Sequence, residues 1–190
     1  MMNNIESTKV RAEKALSRGE YEVAVAAATT LIEAGEPWLL DGLVRRAMAL
    51  ENWTDGPSDH LIAAANDWRR LVEIAPAVVS YRGLARVLLK MGDRESALAN
   101  LLEAESKNRT PEICIGFAQY YRTASPPDLE RTKAYFLRAA RRGRTQGMRG
   151  YVESAFELRQ PYSAAAMVLI GLVATPFLAL VLGESRHDGF

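Results

Sequence analysis

The sequence predicts an all-α protein that ends in a hydrophobic helix. Apolar residues recur at helical spacing through residues 5–159, and few segments alternate as strands do. Glycine or proline interrupts this pattern at intervals of about one helix length. Residues 160–183 carry no charged side chain. These observations indicate an array of short helices followed by a segment suited to a lipid bilayer.

The composition excludes several classes of function. The chain has 190 residues, of which 48% are hydrophobic and 25% charged, as in a globular domain. Its one cysteine, Cys114, excludes an intramolecular disulfide and any multi-cysteine metal site. An enzyme is disfavoured because the chain has only two histidines, His60 and His187. It also lacks phosphate-loop, nucleophile-elbow and zinc-protease motifs. We therefore expect no catalytic residue, cofactor or metal, and with a net charge of +1 no nucleic-acid partner.

The clearest predicted helix pair lies between residues 81 and 101. A small residue in each helix would let the two helices approach closely, large residues would fill the space beside it, and a glycine would make the turn. The residues that carry this pattern are Tyr81-x2-Leu84-Ala85-x2-Leu88, Gly92-Asp93 and Ala97-x3-Leu101.

Weaker copies of the pattern precede and follow this pair. The small residue of the second helix is predicted to recur as Ala24, Ala64, Ala97 and Ala134, at spacings of 40, 33 and 37 residues. Gly42 would take the small position of an earlier first helix. Residues 145–159 would form a capping helix.

This pattern resembles the tetratricopeptide and Sel-like repeats over about residues 5–143. The segment 132–143, which ends in Ala-Ala-x-x-Gly, is similar to the Sel-like variant. The resemblance implies a short α-solenoid of antiparallel helix pairs at residues 1–159, with four repeats, a capping helix and a concave groove that binds other proteins. An irregular helical bundle is the alternative.

Residues 160–183 are predicted to form a transmembrane helix, followed by a tail at residues 184–190. Tyr162 to Gly183 is 22 residues long, about 33 Å of helix against a hydrocarbon core of ~30 Å. A buried C-terminal helix of a soluble domain is the alternative. Four small residues recur at every fourth position and would pack against another membrane helix, namely Gly171, Thr175, Ala179 and Gly183.

A basic segment before this helix sets its expected orientation. Residues 131–159 hold eight Lys or Arg against two Glu, which places the N-terminal domain in the cytoplasm. The membrane-proximal basic residues are Arg138, Arg141, Arg142, Arg144 and Arg149. They would either bind anionic lipid headgroups or serve only to set the orientation of the predicted membrane helix. The N-terminus lacks a signal peptide and arginine outnumbers lysine, so we expect a tail-anchored protein of the bacterial inner membrane.

Two functions are favoured over a third, a tail-anchored organelle adaptor, which the acidic tail at residues 184–190 disfavours. The first is a membrane-anchored adaptor that binds a partner protein through the repeat groove at the cytoplasmic face, where analogy alone suggests envelope polysaccharide synthesis or secretion. The second is an accessory subunit held in a membrane complex mainly by its transmembrane helix. A groove lined by polar and aromatic side chains would favour the adaptor, and an apolar groove the subunit.

Overall fold

The computed structural model describes the backbone of residues 2–108, 110–160 and 164–169, and within these ranges all regular secondary structure is helical. Nine helices of twelve or more residues are followed by a short helical stretch at residues 164–169. The nine are α1 (Met2–Arg18), α2 (Tyr21–Glu33), α3 (Leu39–Asn52), α4 (His60–Ile74), α5 (Val78–Lys90), α6 (Arg94–Lys107), α7 (Pro111–Arg122), α8 (Leu129–Ala140) and α9 (Thr145–Glu157). They form two compact units, Met1–Ile113 and Cys114–Phe190.

In the first unit, successive helices pack as antiparallel neighbours. Residues in contact lie about equally far from the intervening turn: a Cβ on Gly83 of α5 would meet the ring of Trp68 of α4, on either side of Pro76. Gly92 makes the α5–α6 turn with φ at +86°, and Asp93 caps α6 by accepting a hydrogen bond from the Ser96 backbone N–H at 3.0 Å. The predicted turn at Gly92-Asp93 is thereby confirmed.

Small residues occupy the predicted helix contacts of the first unit. Ala24, Ala64 and Ala97 are each fully buried. Gly42 is also buried, and a Cβ there would lie 2.8 Å from Ile32 Cγ1. The three alanines therefore permit the close approach within helix pairs that the sequence pattern predicts, whereas Gly42 lets α3 approach α2 of the preceding pair.

The prediction that Ala134 is the small contact residue of the fourth pair is wrong. Ala134 is exposed, and the buried residues of α8 are Thr132, Phe136 and Ala139. Thr132 thus holds the small position two residues earlier, and its hydroxyl donates to the Asp128 carbonyl oxygen at 2.7 Å. Two residues turn a helix by about 200°, so the shift moves Ala134 to the opposite face.

Ion pairs join alternate helices of the first unit. The Glu51 carboxylate on α3, only 1% exposed, accepts two hydrogen bonds from Arg86 of α5 at 2.5 Å and pairs with Lys90 at 3.2 Å. Within a helix pair, Arg46 of α3 donates two hydrogen bonds to Asp67 of α4 at 2.8 and 2.7 Å. The first helices of neighbouring pairs therefore adjoin each other, which is the packing of a solenoid-like array.

In the second unit, α8 and α9 pack as an antiparallel pair around Gly143. Gly150 lies against the ring of Phe136, seven residues on either side of that turn. Gln160, which follows α9, accepts a hydrogen bond from Lys133 Nζ at 2.6 Å and donates to Glu130 Oε1 at 3.3 Å. The chain after α9 is therefore tied to the start of α8.

Most of the predicted transmembrane helix lies outside the described residues. At residues 164–169, Ala164 is fully buried, and Met167 and Val168 line a cleft of about 250 Å³ with Met148 and Val152 of α9. No helix among the described residues is both long and apolar enough to cross a membrane. The transmembrane helix stays a prediction.

Candidate partner-binding groove

A groove of about 260 Å³ lies between α7 and α9 of the second unit. Its floor is the ring of Phe136 beside Gly150. A Cβ on Gly150 would lie 2.5 Å from Phe136 Cδ1, so only glycine lets the ring fill this space. The walls are polar: Gln119, Arg122, Gln146, Arg149 and Glu153.

One acidic side chain organises the charges of this groove. The Glu153 carboxylate accepts a hydrogen bond from Arg149 at 2.9 Å and another from Arg122 at 3.2 Å. Arg122 also donates to Glu157 at 2.8 Å. The hydrogen bond from Arg149 lowers the pKa of Glu153, and Arg122 lowers it further by its hydrogen bond and its charge. Glu153 is therefore ionised at neutral pH and holds both guanidinium groups in place.

Two glutamines supply uncharged hydrogen-bonding groups to the same groove. Gln119 stands on α7 and Gln146 on α9, so the two amides come from facing helices. Within the described residues, neither side-chain amide has a hydrogen-bond partner. Each amide offers a carbonyl acceptor and two N–H donors, which matches the hydrogen-bonding groups of a peptide backbone. The groove therefore suits a polypeptide segment.

The predicted basic residues do not form one patch. Arg149 belongs to the groove wall. Arg141, Arg142 and Arg144 surround the α8–α9 turn, where Gly143 has φ at +83°. This turn lies the length of α9 from Leu158, about 20 Å for 13 residues. Binding of these arginines to lipid stays a prediction.

Arg138 instead belongs to a stack of aromatic rings. Its guanidinium lies 4.9 Å from the centroid of the Tyr135 ring. Tyr135 stacks on Phe117 at 5.1 Å and on Tyr121 at 5.6 Å between ring centroids. Arg131 lies over Tyr121 at 5.2 Å.

The predicted stripe of Gly171, Thr175, Ala179 and Gly183 lies outside the described residues.

His60 and Cys114 lie in different units of the structure. His60 is the first residue of α4, and its Nδ1 lies 2.6 Å from the Pro57 carbonyl oxygen. Cys114 is half-buried, with Arg142 Nη1 at 3.9 Å from its sulfur. Among the described residues, no group of three or more His, Cys, Asp or Glu side chains could hold a metal ion.

Most residues of the groove between α7 and α9 are not predictable from the sequence pattern. Gln119, Arg122 and Gln146 lie on helices separated by α8, and their facing positions depend on the packing of three helices. The spacing of Gly147 and Gly150 was the available signal, because both glycines mark where α9 meets α8.

No protein-family model matches the chain, and no curated protein matches it in sequence.

Proposed function

We propose that this protein is a helical-repeat adaptor that binds a segment of a partner protein in the groove between α7 and α9. One observation carries the proposal: the groove walls present amides and paired charges, and an aromatic ring forms the floor. Protein–protein interfaces typically combine an aromatic core with a polar rim, and this groove has both. Such a groove needs no bound metal or cofactor.

The C-terminal segment would hold this adaptor at a membrane. Residues 160–183 are the predicted anchor, and the basic residues before them favour a cytoplasmic position for the repeat domain. The proposal therefore includes a bacterial inner-membrane location. Service to envelope polysaccharide synthesis or secretion rests on the repeat resemblance alone.

A second candidate is an accessory subunit held by its C-terminal segment. The apolar cleft formed by Met148, Val152, Met167 and Val168 favours it, since this cleft offers almost no polar surface to a partner. In that case the groove between α7 and α9 would be dispensable for assembly.

A capture experiment separates the two candidates. The tagged full chain is purified in detergent from its source cells, beside a Gln119→Ala/Gln146→Ala variant. The control variant, Asn66→Ala/Asn100→Ala, changes two amides of the first unit. The adaptor proposal expects one partner to be retained by wild type and control, and reduced at least about tenfold in the groove variant. Equal capture by all three chains would favour the subunit.

A further inference from the structure

A second surface, outside the groove between α7 and α9, lies at the α1–α2 end of the first unit. It is a groove of about 470 Å³ whose wall includes Val10, Arg11, Lys14 and Arg18 of α1. These four residues recur at helical spacing and share one face of α1. Val10 is 42% exposed, which is high for a valine.

The charge of this α1–α2 groove is positive. Three cations line it, and the one acidic lining residue, Glu20, lies 3.9 Å from Arg18. An apolar side chain between cations suits a helix that carries an apolar residue between carboxylates. The groove therefore calls for an acidic, amphipathic helix as its occupant.

The exposed face of α6 in the same unit has these properties. Leu102 is 51% exposed, and Ala99 beside it is exposed as well. Glu95 and Glu103 stand on this face, and Glu103 pairs with Lys107 at 3.3 Å. The two glutamates are about 12 Å apart along α6, and Arg11 and Arg18 are about 10 Å apart along α1.

Both surfaces belong to the first unit, so every copy of the chain carries the groove and the α6 face that matches it. We infer that α6 of one copy docks in the α1–α2 groove of a second copy, so that the chain associates head to tail.

Such a contact is heterologous, because each copy uses two different surfaces. Mixing variants therefore gives a specific outcome. Arg11→Glu/Lys14→Glu damages the groove but keeps α6, and Glu95→Gln/Glu103→Gln damages α6 but keeps the groove. The second variant is neutralised rather than reversed, so it gains no attraction for the reversed groove of the first. Lys9→Glu is the matched control on α1, since Lys9 lies over the ring of Trp38 and does not line the groove.

Sedimentation velocity of the full chain in detergent tests the inference, with circular dichroism to check the fold of every variant. We expect wild type and Lys9→Glu to form concentration-dependent oligomers that weaken as NaCl rises. Each double variant alone should associate at least about tenfold more weakly. Their equimolar mixture should form a dimer and stop there, because only one intact contact is available.

Three results would overturn the inference. One is a monomeric wild type at all concentrations, which would leave the α1–α2 groove to a foreign partner. Another is association that both double variants retain, as a contact between C-terminal segments would give. The third is a mixture that stays monomeric while each variant is folded.

Discussion

The ring of Trp68 lies against the backbone of Gly83, so that a Cβ at residue 83 would be 2.5 Å from Trp68 Cε2. Trp68 is 1% exposed and cannot move into solvent. This contact fixes the distance between α4 and α5, and it makes the first unit sensitive to a single methyl group.

Gly83→Ala should therefore destabilise the first unit, although alanine favours helices by about 1 kcal/mol over glycine. Overpacking of this kind costs about 1–3 kcal/mol. All three tryptophans, Trp38, Trp53 and Trp68, lie in the first unit, so urea unfolding followed by tryptophan fluorescence reports on it.

A second substitution checks the cause of this loss. Trp68→Phe shrinks the ring and removes an indole N–H that has no hydrogen-bond partner among the described residues. The Gly83→Ala/Trp68→Phe variant should be less destabilised than the sum of the two single changes. Additive losses would mean that the Gly83–Trp68 contact is not the site of strain.

The buried carboxylate of Glu51 gives a separate stability prediction. Glu51→Ala leaves Arg86 and Lys90 without their shared partner. Because these cations are 29% and 39% exposed, water compensates in part, and we expect a loss of about 2–3 kcal/mol against ~3–5 for a fully buried pair. Glu103→Ala, at an exposed pair, should cost less than about 0.5 kcal/mol. Equal losses would contradict the assigned role of Glu51.

Glu153 predicts how the second unit responds to acid. Its pKa is lowered in the folded protein, chiefly by Arg149. A lowered carboxyl pKa contributes stability above the unfolded value of about 4.3, and this contribution disappears as pH falls through the folded pKa. Thermal melts should therefore show Glu153→Gln below wild type at pH 7 and equal to it in strong acid. A difference that is independent of pH would refute the ion-pair explanation.

The sequence predicts the helices and many of the close contacts between them. Ala97 follows from the repeat pattern because it stands at a defined position within its own helix pair. The pattern also predicts Gly42 as a small residue, but its close contact is with Ile32 of the preceding helix and not with its own pair. The pattern does not predict Gly83, whose role depends in the same way on the ring of Trp68 in the preceding helix. In α8, either Thr132 or Ala134 could take the small position that faces the core. Thr132 takes it, because its hydroxyl can donate a hydrogen bond to the Asp128 carbonyl oxygen within the same helix. The groove between α7 and α9 cannot be predicted from the sequence pattern, because its residues stand on separate helices that come together only in the folded protein.

The C-terminal segment gives a fourth prediction. A chain that ends at residue 169 keeps the described helical stretch against α9 and loses most of the predicted transmembrane helix. It should be soluble, helical and folded, whereas the full chain should fractionate with membranes. A chain that ends at residue 161 should be less stable, because it uncovers Met148 and Val152. An insoluble or unfolded 1–169 chain would place the remaining segment inside the domain.

The central claim is that a partner occupies the groove between α7 and α9, and photo-crosslinking tests it most directly. A benzophenone amino acid replaces Gln146 in the full chain, and in a matched chain it replaces the exposed Asn66 of the first unit. After irradiation of intact cells, the account predicts a discrete adduct with one partner from residue 146 that is lost when Gln119 is also changed to Ala. No adduct from residue 146, or the same adduct from both positions, would contradict it.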